Sequence, residues 1–458
     1  MSTVAVILAA GLGTRMKSTL PKVLHPVLGD ASLLWVLRAL PSSVSAAVLV
    51  LHHGKAQVEE ALQAWEKLGL LPCPITTVDQ ETPLGTGHAV QQAIPELDRL
   101  SPERVVILSG DVPLLRRESI DRLTAQNAVL LAMELNDPTG YGRVLRRTDG
   151  SLQGIVEQKD ASEEIRSLRL VNGGAYALPW KALRPALAGL TNANAQKEYY
   201  LTDAVAAVAA QLPVQIELCE ASELMGMNSR LDQAELQRLA QKRINAHWMA
   251  QGVTLLAPER TVIGPMVVLA QDVLIEPNVR LEGRVRVGSG TRLGQGCVFR
   301  DCQIGCGAEV RPYCVGTSAA IGDGAKVGPF AHLREGTLLE NDVHLGNFVE
   351  TKKAHLKAGA KANHLSYLGD CEIGERTNIG AGFITCNYDG ARKHRTLIGR
   401  DVFIGSDCQA VAPLAIGDGA MTAAGTTLTK DVPADALALA RTPQVNREHL
   451  AARLRERR

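Results

Sequence analysis

The sequence predicts an α/β protein with two folded domains, a Rossmann-like sheet domain and a parallel β-helix of hexapeptide repeats, joined by a helix. Three observations support this prediction. Residues 1–228 alternate short aliphatic runs with amphipathic stretches, residues 229–251 show helical spacing, and residues 252–458 place an apolar side chain at every sixth position over long runs. A chain of 458 residues is also long enough for two or three domains.

The first domain, residues 1–228, is predicted to form a sheet of parallel strands. Aliphatic runs typical of buried strands lie at Val4–Ala9, Ala47–Leu51 and Val105–Leu108. Amphipathic stretches typical of helices lie at Gln57–Trp65, Ile120–Gln126 and Asp203–Gln211. Strands that alternate with helices usually lie parallel, because each helix carries the chain back across the sheet.

Residues 229–251 are predicted to form one helix that links the domains. Ser229 and Asp232 fit a capping box, in which each side chain accepts a hydrogen bond from a free backbone N–H group of the other. Apolar residues follow at helical spacing, namely Leu231, Leu236, Leu239, Ala240, Ile244 and Trp248. The same segment could instead be the last helix of the first domain, and the sequence leaves both interpretations open.

The second domain, residues 252–458, is predicted to be a β-helix because its apolar period is six. One such run is Ile263, Leu269, Ile275, Leu281, Val287, Leu293 and Phe299. This period fits neither an α-helix nor a hairpin meander. Three hexads would make one triangular coil, with coils stacked at the strand spacing of about 4.8 Å.

The hexad phase breaks twice, over residues 351–372 and 385–397. We expect both segments to form outward loops, and loops of this kind commonly carry function. From about residue 441 the chain is rich in arginine and has no apolar hexads. We therefore expect an irregular basic tail.

Charge and hydropathy point away from nucleic acid, membranes and export. Lys and Arg total 49 against 48 Asp and Glu, a net charge of +1, so we expect no nucleic-acid and no membrane partner. No apolar run approaches the roughly 20 residues that span a bilayer, and no basic residue precedes the run Val4–Ala10 as in a signal peptide. The nine cysteines include no C-x-x-C pair, which favours reduced thiols in a cytoplasmic protein.

A glycine turn follows the first predicted strand, in the run Ala10–Met16. Gly11 and Gly13 allow the backbone to approach a ligand closely, and free N–H groups in such a turn bind phosphate. Arg15 and Lys22 can neutralise phosphate charge. The run lacks the Gly-Lys-Ser/Thr ending of a P-loop and the third glycine of a dinucleotide fingerprint. By itself this turn predicts a phosphate site and does not specify the nucleotide.

The longer pattern resembles the sugar-1-phosphate nucleotidylyltransferases. After the run Leu8–Met16 with Pro21-Lys22, the matching segments are Gln80, Leu84-Gly85-Thr86-Gly87-His88, Ser109-Gly110-Asp111, Thr139-Gly140-Tyr141-Gly142-Arg143, Glu157-Gln158-Lys159, Asn172-Gly173-Gly174 and Gly226-Met227-Asn228. With the hexapeptide repeats behind it, the chain resembles the bacterial bifunctional N-acetylglucosamine-1-phosphate uridylyltransferase / glucosamine-1-phosphate N-acetyltransferase family over about residues 3–445. The resemblance implies a nucleotidyltransferase domain followed by a left-handed parallel β-helix.

For the first domain, the resemblance implies transfer of UMP from UTP to N-acetylglucosamine 1-phosphate, with release of pyrophosphate. It assigns catalysis to Arg15 and Lys22, and Mg²⁺ binding to Asp111 and Asn228, whose hard oxygen atoms suit this ion. The residues implied to bind UTP and the sugar nucleotide are Leu8, Ala9, Ala10, Gly11, Lys22, Gln80, Gly85, Thr86, Ser109, Gly110, Gly142, Glu157, Asn172 and Asn228.

Two positions depart from the family pattern. Gly173 stands where many relatives carry threonine, and Pro83 stands where a second polar contact to the base is common. We therefore expect looser contacts near the sugar and fewer side chains on uracil.

For the second domain, the resemblance implies transfer of an acetyl group from acetyl-CoA to glucosamine 1-phosphate, with His364 as general base. A lone histidine is more often structural, so this role depends on the family pattern around it. The residues implied to bind glucosamine 1-phosphate are Arg334, Lys352, Tyr367 and Asn378. Those implied to bind acetyl-CoA are Ala381, Asn387, Tyr388, Ser406, Ala424 and Arg441.

The resemblance also implies a cytoplasmic homotrimer, associated through the β-helix, whose product feeds peptidoglycan and cell-envelope synthesis. Two other interpretations remain. The first is an ADP-glucose- or dTDP-glucose-type pyrophosphorylase with a regulatory solenoid, and the presence of Lys352, His364 and Asn387 argues against it. The second is a scaffold with an inactive first domain. The presence of the glycine turn, Lys22 and Asp111 argues against that. Release of coenzyme A would distinguish the family interpretation from both.

Overall fold

The computed structural model describes residues 2–455 and forms two compact units that divide between Ala240 and Gln241. The division falls within the helix Arg230–Ala250. The helix predicted over residues 229–251 is therefore present.

The first turn of this helix has the predicted capping box. The Asp232 carboxylate accepts the Ser229 backbone N–H at 2.8 Å, and the Ser229 hydroxyl accepts the Asp232 backbone N–H at 3.2 Å. Leu236 and Ala240 are buried, whereas the Leu231 side chain is 83% exposed. The expected apolar stripe is therefore wrong at Leu231, which lies one residue inside the helix start and faces outward.

The first unit is built on a nine-stranded sheet. In order across the sheet, its main strands are Gln215–Leu218, Val129–Glu134, Leu170–Pro179, Arg104–Ser109, Thr3–Ala9, Val44–Leu51 and Ile75–Asp79. The hairpin strands Arg143–Arg146 and Leu152–Val156 extend from one side of it.

This sheet is mixed rather than parallel throughout. Strand Leu170–Pro179 runs antiparallel to both neighbours, which corrects the expectation of parallel strands. The chain reaches it from Val129–Glu134 by way of the hairpin, without the long helix across the sheet face that a parallel return requires.

Helices cover the sheet, and apolar clusters fill the space on both of its faces. All six elements predicted for this unit are present, with ends shifted by at most three residues. The α-helices of the first unit before Arg230–Ala250 are Ser32–Ala39, Lys55–Lys67, Thr86–Gln92, Ile94–Leu100, Arg117–Ala125, Glu163–Arg166, Trp180–Ala188 and Leu201–Ala209. The shorter elements are the 3₁₀ turns Thr14–Met16, Lys22–Leu24 and Ala221–Glu223, and the paired strands Pro26–Val27 and Asp30–Ala31.

In the second unit, each short strand pairs in parallel with a strand one coil later. Ile263 lies opposite Leu281, and Leu281 lies opposite Phe299, so one coil takes eighteen residues, or three hexads. Some coils take seventeen, as between Val287 and Ile304. The hexad residues Ile263, Leu281 and Phe299 are fully buried inside the coils. The predicted β-helix of hexapeptide repeats is confirmed.

The coils present their strands in two sheets. The eleven-strand sheet contains Thr254–Leu255, Leu274–Ile275, Arg292–Leu293, Glu309–Val310, Lys326–Val327, His344–Asn347, Lys361–His364, Asn378–Ile379, Phe403–Ile404, Met421–Thr422 and Leu437–Ala438. The seventeen-strand sheet contains Val262–Ile263, Val268–Leu269, Arg280–Glu282, Arg286–Val287, Val298–Arg300, Gln303–Ile304, Val315–Thr317, Ala320–Ile321, His332–Leu333, Leu338–Leu339, Glu350–Leu356, Tyr367–Ile373, Ile384–Cys386, Thr396–Ile398, Gln409–Val411, Leu414–Ile416 and Thr427–Leu428. A 3₁₀ turn, Pro258–Arg260, lies near the start.

The first phase break, residues 351–372, is not an outward loop. It forms the paired strands Glu350–Leu356 and Tyr367–Ile373. Thr351 and Ala354 are buried, and their partners seventeen residues later are buried too. The expectation of a loop was wrong because the buried positions here repeat once per coil, every seventeen residues. A search for a period of six does not detect that repeat.

The second phase break, residues 385–397, does contain an outward loop. Cys371 pairs with Thr396, which lies 25 residues later instead of 17. The extra residues include Tyr388–Lys393, all of them exposed.

The basic tail is not entirely irregular, since Leu450–Arg455 forms a short helix.

All nine cysteines are free thiols. None of the helices in the described residues is long and apolar enough to cross a membrane.

Candidate active sites

The glycine turn folds over the side chain of Lys22. Gly13 has φ 60°, and a Cβ atom there would lie 2.9 Å from Lys22 Cβ. The Lys22 ammonium is also close to Gly11, whose added Cβ would lie 3.8 Å from Nζ. Both glycines therefore let the turn close down on Lys22. Arg15 lies in the next turn, Thr14–Met16, with an exposed side chain.

Lys22 stands between the two residues expected to bind metal. Its Nζ donates to Asp111 Oδ2 at 2.5 Å and to Asn228 Oδ1 at 3.2 Å. Asp111 follows strand Arg104–Ser109, and its backbone carbonyl accepts the Met227 N–H at 2.9 Å. This bond brings the segment that carries Asn228 to the carboxyl end of the sheet, where α/β proteins usually bind ligands.

The donor set at this point fits Mg²⁺. One carboxylate and one amide oxygen already converge on a single cationic atom, the Lys22 ammonium. Mg²⁺ keeps several waters and commonly takes only one or two protein ligands. Asp111 and Asn228 therefore have the chemistry and the placement for such a site.

A cavity of about 430 Å³ opens beside this cluster. It gathers most of the residues that the sequence predicted to bind nucleotide: Leu8, Ala9, Ala10, Gly11, Lys22, Gln80, Gly85, Thr86 and Ser109. Asp111, predicted to bind metal, also lines it. Gly110 supports its wall from behind, with its N–H on the Leu8 carbonyl at 2.9 Å. The glycine turn, Asp111 and the segment Leu84–His88, called the base loop below, thus meet at one space.

The base loop is fixed by contacts that require glycine. The Tyr199 N–H donates to the Leu84 carbonyl, and the Gly87 N–H donates to the Tyr199 carbonyl, both at 2.8 Å. A Cβ atom at Gly85, which has φ 113°, would lie 2.6 Å from that same carbonyl oxygen. Gln80 is buried and its amide nitrogen donates to the Gly85 carbonyl at 3.1 Å. The loop therefore presents its backbone to the cavity in one conformation.

Gly142, Glu157 and Asn172, which the family resemblance implies to hold the sugar of the sugar nucleotide, form a second cluster. The Asn172 N–H donates to the Gly142 carbonyl at 2.8 Å, and a Cβ atom at Gly142 would lie 3.4 Å from both carboxylate oxygens of Glu157. Thr202 donates its hydroxyl proton to Glu157 at 3.1 Å. Burial raises the pKa of the Glu157 carboxyl. Gly142, Glu157 and Asn172 thus lie together.

On the β-helix, His364 ends a strand of the eleven-strand sheet with its ring exposed. Its Nδ1 lies 2.8 Å from Asn347 Oδ1. An amide oxygen only accepts, so Nδ1 carries a proton, and in the neutral ring the lone pair is then on Nε2. Such an imidazole can take a proton from a substrate.

Polar side chains of the seventeen-strand sheet form a second group. A Cβ atom at Gly369 would lie 2.5 Å from the Tyr367 hydroxyl and 2.8 Å from Asn387 Nδ2. Lys352 is paired in register with Gly369. Arg334 lies one coil earlier, and its backbone N–H donates to the Thr351 carbonyl at 2.9 Å.

Both cations of this group are paired with carboxylates. Arg334 donates to Glu350 at 2.8 Å, and the Lys352 ammonium lies 3.0 Å from Glu335. An anionic ligand would compete with these partners for the two cations.

Small side chains lead away from His364 along one corner of the coils. The Gly382 N–H donates to the His364 carbonyl at 3.3 Å, which stacks Ala381 and Gly382 on that corner. Backbone bonds of 2.7 and 2.8 Å continue the stack, from Asp407 to the Ala381 carbonyl and from Gly425 to the Ser406 carbonyl. Ala424 adjoins Gly425, and Arg441 donates to the Ala424 carbonyl at 3.0 Å. The predicted acetyl-CoA residues Ala381, Ser406, Ala424 and Arg441 therefore share one edge.

Comparison with known proteins agrees with this arrangement. Residues 5–172 match the model of MobA-like NTP transferase domains. The bifunctional protein GlmU of Stutzerimonas stutzeri is 50% identical, with 97% of this chain and 98% of that protein covered. The same protein of Pelobacter propionicus is 45% identical, with 99% of each covered, and that of Azotobacter vinelandii is 50% identical, with 98% of each covered. This chain belongs to the GlmU family.

Solved structures add less. A UDP-glucose pyrophosphorylase complexed with UDP-glucose covers 53% of this chain and 100% of its own, at 17% identity and a TM-score of 0.44. That score is too low to carry an argument.

Within this GlmU family chain, three predicted residues lie apart from their groups. Asn387, expected to bind acetyl-CoA, lies beside Gly369 and Tyr367. Asn378 lies in the eleven-strand sheet opposite Lys361, whereas Lys352 and Tyr367 lie in the seventeen-strand sheet. Tyr388 is exposed on the loop of the second phase break, with its hydroxyl donating to the Gly390 carbonyl at 2.6 Å.

The position of Gly173, the first of the two expected departures from the family pattern, is filled from a neighbouring segment. A Cβ atom there would lie 2.5 Å from Leu224 Cδ1 and 2.8 Å from the Leu131 carbonyl oxygen. The missing side chain therefore leaves no gap at this position. Pro83, the other departure, does line the cavity.

The sequence did not predict several residues that belong to the candidate sites. Asn347 holds His364, and it lies seventeen residues earlier, which is one coil. That spacing would have identified it. Glu198 and Ala89 line the cavity, but no motif marks Glu198, and only the fold brings it there.

Proposed function

We propose that this chain makes UDP-N-acetylglucosamine in two steps. The domain predicted over residues 252–458 transfers an acetyl group from acetyl-CoA to glucosamine 1-phosphate. The domain predicted over residues 1–228 then transfers UMP from UTP to N-acetylglucosamine 1-phosphate, and pyrophosphate leaves. The observation that carries the proposal is the presence of both assembled residue groups in one chain of the bifunctional GlmU family.

In the uridylyl step, an oxygen of the sugar phosphate attacks the α-phosphorus of UTP. A phosphate monoester is already anionic, so no general base is needed. Lys22 and Arg15 offset the negative charge that gathers in the transition state. Asp111 and Asn228 would hold Mg²⁺, which would neutralise part of the triphosphate charge.

The remaining residues of this domain orient the two substrates. Gln80 and the backbone of Gly85 and Thr86 face the base, and the glycine turn offers N–H groups to the phosphates. Glu157 and Asn172 face the sugar and its acetamido group, where their partners Thr202 and Tyr176 fix each side chain. Holding both reactants in line supplies much of the rate enhancement in such a step.

In the acetyl step, His364 is the general base. Its Nδ1–H is held by Asn347, so Nε2 takes a proton from the substrate amine. The amine nitrogen attacks the thioester carbonyl, the bond to sulfur breaks, and coenzyme A leaves as a thiol after gaining a proton. Arg334 and Lys352 bind the sugar phosphate, and the small residues beside Ala381 leave room for the pantetheine arm.

The enzyme acts as a cytoplasmic homotrimer associated through the β-helix. An aromatic column supports this, since Tyr313, Phe330 and Phe348 stack at 5.4 Å on successive coils while remaining about half exposed. Exposed apolar patches of this kind commonly mark interfaces. The separation of Asn378 from Lys352 also agrees with a sugar site that is completed by another copy.

Chromatography of a single reaction tests the function. Wild-type protein with UTP, glucosamine 1-phosphate, acetyl-CoA and Mg²⁺ should form UDP-N-acetylglucosamine, coenzyme A and pyrophosphate. Without acetyl-CoA, the product should be lost and then restored by added N-acetylglucosamine 1-phosphate. Failure of that restoration would reject the uridylyl step, and absence of free coenzyme A would reject the acetyl step.

A further inference from the structure

Two hydrogen bonds fix the side-chain amide of Gln80. Its Nε2 lies 3.1 Å from the Gly85 carbonyl oxygen and 3.1 Å from Nδ1 of His88. A carbonyl oxygen only accepts, so the atom facing it must be the amide nitrogen and cannot be the amide oxygen. Both amide protons of Gln80 are thereby used.

The same geometry determines the state of His88. Its Nδ1 accepts a hydrogen bond from the Gln80 amide, so this nitrogen carries a lone pair and the ring is the neutral form protonated at Nε2. The Gln92 atom placed 3.1 Å from that Nε2 is the amide nitrogen, which also lies 3.4 Å from the His88 carbonyl oxygen. To accept from it, Gln92 must turn its amide oxygen toward the ring, an orientation that only the hydrogen-bond network can assign. A chain of bonds thus runs from Gln92 through His88 to Gln80.

The amide oxygen of Gln80 is the end left for a ligand. Gln80 lines the 430 Å³ cavity, and its Oε1 has no hydrogen-bond partner among residues 2–455. Because both protons are held elsewhere, Gln80 can offer the base an acceptor and no donor.

We propose that His88 is a positioning residue that sets nucleobase choice, because it holds Gln80 with its acceptor toward the base. This inference rests on the proposed use of UTP. Uracil presents an N–H group at N3, which pairs with an acceptor. Cytosine presents a lone pair at N3, which the Gln80 oxygen would repel. His88 therefore favours UTP over CTP without contacting either nucleotide.

Loss of His88 would leave one buried amide proton of Gln80 without an acceptor. Such an unpaired group costs free energy, which favours other orientations of the amide. Without His88, the single bond to the Gly85 carbonyl holds the amide. Orientations that give up this bond and turn the N–H₂ group toward the cavity therefore become more accessible, and they can pair with cytosine. Binding of uracil should weaken, whereas the phosphates and their cations are unaffected.

The test compares kcat and KM for UTP and CTP, with N-acetylglucosamine 1-phosphate and Mg²⁺. In His88→Leu, KM for UTP should rise about tenfold with kcat nearly unchanged, and the preference for UTP over CTP should fall about tenfold. His88→Asn restores an acceptor near the place of Nδ1 and should recover most of the preference. Gln91→Leu is the matched control, since Gln91 lies on the same helix and bonds to Leu187 instead.

The outcomes are distinct. If His88→Leu loses activity equally on UTP and CTP, the ratio of kcat/KM for UTP to that for CTP is unchanged. That result would overturn the proposal and leave His88 a structural residue. If His88→Leu does not fold, Gln92→Leu serves in its place, with a smaller fall in the same ratio expected and an unchanged ratio contradictory. A wild-type protein that cannot use UTP would reject the proposed function instead.

Discussion

The two units assemble their candidate sites by different routes. In the first unit, Lys22 contacts Asp111 and Asn228, which are 89 and 206 residues away in the sequence. In the β-helix, His364 contacts Asn347, which lies one coil or 17 residues away. In the first unit, the cluster of Lys22, Asp111 and Asn228, called the cation cluster below, forms only when the fold brings distant segments together. In the second unit, residues one coil period apart in the sequence are in contact, so the contact can be predicted from their spacing.

The units also differ in how their cations are held. Lys22 is enclosed, with its side chain and that of Asp111 each 15% exposed. The Arg334 pair with Glu350 on the β-helix is 34% and 41% exposed. Ion pairs at that exposure contribute little to stability, so those cations are easily given up to a ligand.

The largest effect is expected at the β-helix site. His364→Ala should lower acetyl transfer by about 10²–10⁴-fold, because a positioned general base is lost. Uridylyl transfer on supplied N-acetylglucosamine 1-phosphate should be unchanged. Coenzyme A release and pyrophosphate release measured on one preparation check both statements.

His355→Ala is the matched control for that variant. His355 lies on the same solenoid and bonds to Glu340 at 2.6 Å, outside the candidate site. It should keep normal acetyl transfer. A wild-type rate in His364→Ala would show that His364 is structural.

The mirror experiment is Asp111→Ala. Uridylyl transfer should fall by about 10²–10³-fold, since the only carboxylate of the cation cluster is removed. Acetyl transfer should remain. Asp98→Ala, which removes a surface partner of Arg184, should change neither rate. Uridylyl transfer retained at ordinary Mg²⁺ concentrations would remove Asp111 from the metal site.

A smaller effect is expected one coil before His364. Asn347→Ala should lower kcat for acetyl transfer about tenfold, because the ring loses the bond that orients it. Asn347→Asp keeps an acceptor and should retain most of the rate. Equal rates in wild type and Asn347→Ala would mean that coil register does not place this contact.

The contrast explains what the sequence could reveal. The period of six predicted the β-helix because one inward side chain per hexad is a property of each short segment. The same search failed over residues 351–372, where Thr351 and Leu368 repeat by coil. In the first unit the motifs predicted Lys22 and Asp111 separately. Their 2.5 Å contact, and the bond between Gln80 and His88, depend on tertiary structure that no local pattern contains.

The smallest effect concerns stability. Burial raises the pKa of Glu157, so its charged form disfavours folding above that pKa, and the cost disappears below the unfolded value of about 4.3. Glu157→Gln should therefore raise the melting temperature of the first unit at pH 7.5, and the difference should vanish near pH 4. Glu96→Gln should lower the melting temperature at pH 7.5, because a hydrogen bond from Arg99 stabilises the charged carboxylate and lowers the pKa of Glu96. Calorimetry that gives the same shift at both pH values would contradict this account.

Mixing two inactive variants tests most directly that one chain carries two independent sites. His364→Ala and Asp111→Ala are each supplied with UTP, glucosamine 1-phosphate, acetyl-CoA and Mg²⁺, and then combined in equal amounts. Each alone should form almost no UDP-N-acetylglucosamine, and the mixture should form it readily, because one variant supplies the acetylated intermediate that the other consumes. A mixture as inactive as its parts, or full activity in either variant alone, would contradict the account.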